Sequence, residues 1–446
     1  MRSGPSAIPP SFWLDSHPMS SRAPAPQLHY LIEEHRLANG LRLVVNPDAA
    51  SPGVTVNLWY QVGSRDEAPR RTGFAHLFEH LMFQGTWTGV ETGEHLSAIQ
   101  AAGGTANATT SFDRTNYFET VHPGALELAL WLEAQRMEFL KVDQTNLDTQ
   151  REVVKEEKRQ RYDNVPYGDT FQALFELAYP SDHPYGHLPI GSMADLDAAS
   201  LEDVQAFHAT HYSPANAVLV LAGAVTTDQA IELTERHFAQ IPPVDAPTRV
   251  RPGGLDPFEG TPAAILERQV PRDATHLVWR IPTLDDATTR ALDLGLDILT
   301  AGQSGRLHRA LVMDQELAES VSGATMGLAG ETNLAVVSTH TREGRSSEEL
   351  AEATLEGIRR LGEQGPTEEE LQRVHAQLER QVLSDLASAS DRADEINHWT
   401  SLAGDPQRVN GVLASYAEIS GDDIRAAVST WLSPERHAAL NYRKAH

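Results

Sequence analysis

Gly73-Phe74-Ala75-His76-Leu77-Phe78-Glu79-His80-Leu81-Met82-Phe83-Gln84-Gly85 decides how the rest of the chain is read. Its apolar residues, Phe74, Ala75, Leu77, Phe78, Leu81, Met82 and Phe83, fall on every side of a helix. That predicts a buried helix ending at Gly85 as its C-cap, with no solvent face left for two histidines and a glutamate. An unpaired buried carboxylate costs more than a marginally stable domain can absorb, so these groups need a partner. His76 and His80 are one helical turn apart and share a face, with Glu79 next to the second. A metal ion satisfies all three: two nitrogen ligands come from one turn, and a carboxylate stands within reach of a bound water. The pattern H-x-x-E-H by itself is only moderately specific, so its surroundings decide.

At 446 residues the chain suits two domains of about 200, and 40% hydrophobic content fills both cores. A net charge of −26 without a basic patch argues against nucleic acid as a partner and reads as a solvated acidic surface. The absence of cysteine excludes disulfides, a thiol nucleophile and thiolate metal sites, so a metal must be held by His, Asp or Glu. Residues 1–26, rich in Pro and Ser without a continuous apolar core, read as a disordered tail rather than a secretory signal. No run is long and apolar enough to span a bilayer. No membrane partner is expected, and the expected compartment is the cytoplasm, with the periplasm not excluded.

A hairpin turning at Asn39-Gly40 and a buried strand over Val54–Val62 precede the motif. After it come a short helix over 95–102 and a second hairpin, 105–111 with 116–121. Small residues dominate the first strand of that hairpin, which suits either an open edge that pairs with an extended peptide or a plain strand beneath a helix. Helices are predicted over 125–139 and 147–162. In the second, Val153 and Val154 set an inward face that Glu157 shares with Leu147 and Gln150. A carboxylate centred on an apolar stripe suits a third metal ligand; the alternative is a half-exposed glutamate paired with Lys158 or Arg161. His183-Pro184-Tyr185-Gly186-His187 also spaces two histidines by four, but Pro184 and Gly186 break a helix, so a loop with local hydrogen bonds is expected.

Prolines 242, 243, 247, 252 and 257 mark a linker over 242–260 between domains at 27–241 and 261–446. Beyond it the pattern returns: Asp203-Val204 through Ser213-Pro214 resembles Asp423-Ile424 through Ser433-Pro434, 220 positions later, and a strand follows each. The chain reads as two copies of one α+β unit. In the second copy a helix near Leu292–Leu299 stands where the motif helix would, without the histidines.

Taken together, His76 to His80, Gly103-Gly104 with Asn107-Ala108-Thr109-Thr110, Val153-Val154-Lys155-Glu156-Glu157 and His183-Pro184-Tyr185-Gly186 resemble the inverted-motif zinc peptidases of family M16. That family includes pitrilysin, insulin-degrading enzyme and mitochondrial processing peptidase, and the chain is similar to its short two-domain bacterial branch. The resemblance spans roughly residues 28–446. It implies an α+β fold of two homologous domains, each a mostly antiparallel sheet flanked by helices, forming half of a clamshell. It implies one zinc ion per chain on His76, His80 and Glu157, with Glu79 as general base. Asn107, Ala108 and Thr109 would lie along the peptide substrate, and Gln150 replaces a glutamate that stands behind the metal in many relatives.

Active relatives also carry an arginine and a tyrosine in the second half. The matching segment, Leu311 to Glu319, has Val312 and Glu319 at those places. The resemblance therefore implies a heterodimer in which a homologous subunit supplies the pair. A homodimer requires another residue, such as Arg306, to substitute. A non-catalytic scaffold or chaperone-like subunit is the alternative from another class.

Overall fold

The structure, a computed structural model, describes residues 27–445. The predicted tail, residues 1–26, lies outside the described residues. In the first half, β1 (Glu33–Arg36) and β2 (Arg42–Pro47) form the expected hairpin. With β3 (Val54–Tyr60), β4 (Thr105–Thr110), β5 (Thr115–Val121) and β6 (Ala217–Gly223) they make a six-stranded sheet ordered β1-β2-β6-β3-β5-β4. Only β2 and β6 run parallel. Every residue of β3 and β6 is buried; β6 is unbroken apolar sequence, and β3 is buried throughout even at Thr55 and Asn57, as in strands covered on both faces.

Residues 242–262 carry no regular secondary structure. After them β7 (Ala263–Arg268), β8 (Ala274–Pro282), β9 (Ala318–Thr325), β10 (Thr332–Thr341) and β11 (Ala438–Lys444) form a second sheet ordered β7-β11-β8-β10-β9. Only β7 and β11 are parallel. Strand for strand this repeats β2-β6-β3-β5-β4, so the duplication read from the sequence is a duplication of topology. β4 and β9 are the corresponding open edges.

One face of each sheet carries helices from its own half. On the first lie the motif helix (Phe74–Leu81) and the helices Leu126–Phe139 and Thr227–Phe238; on the second, Ala287–Thr300, Ser347–Gln364 and Gly421–Trp431. The opposite faces are covered by exchange. The helix Thr170–Ala178 packs on β8 and β11, and the helix Ala389–His398 packs on β3 and β6. These two helices correspond at the same spacing of 220 positions. Ala393 and Ile396 cover Val44, Val218, Val220 and Ala222, while Asn397 donates to Asn57 O (3.1 Å) and Val218 O (3.2 Å). In return Arg280 donates to Ala178 O (2.9 Å) and Tyr179 to Thr332 O (3.0 Å).

Candidate metal centre

The motif helix is shorter than its sequence suggests, ending at Leu81 rather than Gly85. It is also not buried all round. Phe74, Ala75, Leu77, Phe78 and Leu81 are buried, whereas His76, Glu79 and His80 share one half-buried strip. Positions 76, 79 and 80 follow the i, i+3, i+4 rule, so the helix turns its polar groups toward a single neighbour. That neighbour is the helix Gln144–Lys158, with the inward stripe Leu147, Gln150, Val154 and Glu157. Val153, expected on the same face, is 43% exposed. Adjacent residues are separated by about 100° around a helix, and Val154 alone takes the inward place.

Nε2 of His80 and of His76 lie 3.3 and 3.8 Å from Oε2 of Glu157. Three donors at such spacings fit a tetrahedral ion, whose ligands, bound at about 2.0–2.2 Å, stand roughly 3.3–3.6 Å apart. Burial, reinforced by the neighbouring His80, pushes His76 down to about 4, so it presents a neutral ring with a free lone pair. The hydrogen bond to His80 holds Glu157 below the usual carboxylate range. Its other oxygen, Oε1, is held by Arg161 at 2.6 Å. Of the two alternatives for Glu157, the arginine partner and the histidine-facing position occur together, one on each oxygen. Lys158 instead pairs with Asp163 (2.9 Å).

Glu79 stands outside this trio. Thr110 Oγ1, at the end of β4, donates to Glu79 Oε2 (2.7 Å), and burial raises the carboxyl above its ordinary value. The alternation of β4 explains the contact. Ala106, Ala108 and Thr110 share one face, and Thr105, Asn107 and Thr109 the other. Thr109 turns away from the motif helix and donates to Asn116 Oδ1 (2.5 Å). Asn107 is exposed, and its Oδ1 accepts from Ala108 N–H (2.9 Å). Gln150 is buried on the stripe between Leu147 and Val154. Sequence reasoning missed Thr110, although counting the faces of β4 selects it.

A second trio, His95, Glu119 and Glu133, also converges but already holds its cation. Arg136 donates through Nε to Glu133 Oε2 (2.8 Å) and through Nη2 to its other oxygen, lies 3.6 Å from Glu119, and stacks over Tyr117 and Phe83. A guanidinium among the carboxylates supplies the charge a metal would bring.

Two family models match the chain: "Insulinase (Peptidase family M16)" over residues 42–182 and "Peptidase M16 inactive domain" over 198–378. The chain belongs to the M16 peptidase family. It is 32% identical over 368 residues to the zinc protease PqqE of Helicobacter pylori, 81% of each protein being covered. Its fold matches the crystal structure of a protease from Helicobacter pylori with a TM-score of 0.87 at 28% identity, covering 93% of this chain and 99% of that one. The periplasmic protease PqqL from Escherichia coli shares the fold (TM-score 0.75, 18% identity); 95% of this chain matches 48% of that longer one. His76 and His80 on the motif helix and Glu157 on the helix Gln144–Lys158 all lie within the stretch that matches the insulinase model.

The second half keeps a relic of the same arrangement. The helix Ala287–Thr300 lies against β9 as the motif helix lies against β4. Thr325 Oγ1 donates to Asp293 Oδ1 (2.7 Å), the counterpart of Thr110 and Glu79, while Tyr416 donates to Asp293 Oδ2 (2.9 Å). Burial pushes Asp293 up to about 6 from an ordinary 3.8. Below the lower value the group is protonated in both folded and unfolded chains. Between the two values only the folded chain holds the proton, so stability falls as pH rises through this window. Asp293→Asn is expected to stabilise the protein by up to about 3 kcal/mol at pH 8 and by little below pH 4. Urea unfolding at the two pH values measures the difference.

Proposed function

We propose that the chain is the zinc-bearing subunit of an endopeptidase that hydrolyses short or unfolded peptides in a chamber closed by a homologous partner. The observation that carries this reading is the convergence of His76, His80 and Glu157 with Glu79 beside them. His76, His80 and Glu157 would hold a zinc ion, which would supply Lewis acidity for a peptide carbonyl and for the attacking water. Glu79 is anchored by Thr110 through one oxygen, leaves the other for the proton of that water, and delivers it to the departing amine. A peptide adds as a strand to the open edge of β4 beside Asn107, Ala108 and Thr109. On binding, its backbone replaces the Asn107 side chain at Ala108 N–H.

The need for a partner is supported by the second half. Val312 packs against the apolar core there, and Glu319 pairs with Arg272 (2.5 Å), so neither replaces an arginine or a tyrosine. Arg306 is held by both oxygens of Glu370 (2.7 and 2.6 Å), which argues against it as a substitute in a homodimer. PqqL is a chain about twice as long, and it is its first half that matches this chain in fold. No helix among the described residues is long and apolar enough to cross a membrane. We place the subunit in the cytoplasm, with the periplasm as the alternative.

The family description "inactive domain" favours a second reading, a zinc-binding scaffold or chaperone-like subunit. That match begins at residue 198, beyond the trio, so catalysis is the reading retained. The test is cleavage of unstructured peptides by the zinc-loaded chain, alone and mixed with a homologue from the same genome that carries the arginine and tyrosine. Cleavage only in the mixture is expected. Cleavage by the chain alone would overturn the partner, and none under either condition would favour the scaffold.

A further inference from the structure

The loop His183-Pro184-Tyr185-Gly186-His187 makes the local hydrogen bonds expected of it and also reaches across the molecule. Tyr185 N–H to His183 Nδ1 (3.1 Å) and Gly186 N–H to His183 O (2.7 Å) are local. His183 Nε2 meets Gly253 O of the linker (3.3 Å). Tyr185 donates to Asp113 Oδ1 (2.7 Å) in the turn between β4 and β5, and accepts from Gly330 N–H (2.8 Å) in the second half. His187 Nε2 lies 2.9 Å from Oε2 of Glu67.

Glu67 is fully buried, and burial raises its carboxyl. The same Oε2 accepts from Gly73 N–H (2.9 Å), and Oε1 accepts from Ala75 N–H (2.8 Å). These are the free amides at the start of the motif helix. Gly73, at φ +93°, has no side chain to cap them. A remote carboxylate does the capping, one residue before His76. Both oxygens of Glu67 are thus held by helix amides, and His187, anchored in a loop pinned at three other points, adds a third contact on Oε2 that ties the cap to that loop.

Resting on the proposed zinc site, we infer that His187 is a positioning residue for the metal centre. It acts through Glu67 on the helix start, and so on the angle at which His76 meets the ion. The motif helix is only eight residues long, too short to hold its own geometry in water. Groups that orient metal ligands without touching the metal are typically worth about 10–100-fold in affinity. His187 is one step further removed, so about tenfold is expected.

The experiment uses the full chain, His187→Ala and His187→Gln, since glutamine keeps an N–H donor for Glu67. Zinc affinity is read by competition with a chelator, and hydrogen exchange at 73–77 is read in the metal-free proteins. Expected is about tenfold weaker zinc binding and faster exchange in His187→Ala, with His187→Gln close to wild type in both. Wild-type affinity and exchange in His187→Ala would overturn the inference. Equal losses in the two variants would overturn it as well, by assigning His187 a packing role only. Failure of the wild-type chain to take up zinc would sink the metal reading, and exchange at 73–77 would still decide whether His187 holds the helix start.

Discussion

Glu79→Gln is expected to lower kcat/KM on an unstructured peptide by about 10²–10⁴-fold in the presence of the partner subunit, the usual worth of a positioned general base. Zinc uptake should be unchanged. Glu79 lies outside the trio, and the glutamine amide oxygen can still accept from Thr110. The two readouts separate its role from that of a ligand, because His76→Ala, His80→Ala or Glu157→Ala should lose metal and activity together. KM should also be close to wild type, since Glu79 meets β4 through the Thr110 side chain and not through the backbone edge to which a peptide would add. Loss of zinc in Glu79→Gln would make the glutamate a ligand and return the general base to the unassigned groups. Activity within threefold of wild type would overturn the mechanism, zinc or no zinc. Peptide cleavage and metal content on the same preparations settle the matter.

How much of this site the sequence shows depends on whether a contact leaves a local trace. The inward place of Glu157 is legible because Leu147, Val154 and the glutamate recur at helical spacing, a signal carried by one element. Val153 shows the limit of the same signal: two adjacent valines both suggest the inward face, and only packing leaves Val153 exposed. The motif helix looked buried on every side because Met82 and Phe83 were counted in it, and both lie past its last turn. Thr110 needed the alternation of a strand and the position of a helix 31 residues earlier, so half of its signal was tertiary. The pair Glu67 and His187 spans 120 positions and leaves no periodic trace at all. The helix Thr170–Ala178 shows a third kind of limit. Its apolar stripe says that a face is buried but not that the covering sheet comes from the other half of the chain. The duplication at 220 positions is the one sequence feature that bears on this, because it requires whatever one copy does to be done by the other.

That exchange leads to the second large effect. Residues 27–241, the proposed catalytic domain, are not expected to fold when expressed alone. Such a fragment keeps all three proposed ligands and the whole six-stranded sheet, so sequence alone recommends it. It loses the helix Ala389–His398 and with it the cover over Val44, Val218, Val220 and Ala222. Exposing the three valines alone gives up roughly 5–9 kcal/mol, at about 1.5–3 kcal/mol for each fully buried side chain. A domain has only about 5–15 kcal/mol to lose. Trp59 Nε1 and Asn57 Nδ2 also lose Asp394 Oδ1 (3.1 and 3.2 Å), and β3 loses Asn397. In the same fragment the helix Thr170–Ala178 has no second sheet to lie on, and the loop ending at His187 loses Gly330, so the support of the motif helix loosens too. Expected is a fragment without a cooperative thermal transition, with weak near-ultraviolet circular dichroism and no stoichiometric zinc. Adding residues 242–446 in trans should restore all three, since the exchanged helices bring the missing faces. A fragment that melts sharply and binds one zinc would show that the first sheet tolerates an uncovered face, and that the two halves meet as separate domains rather than as one interlocked body.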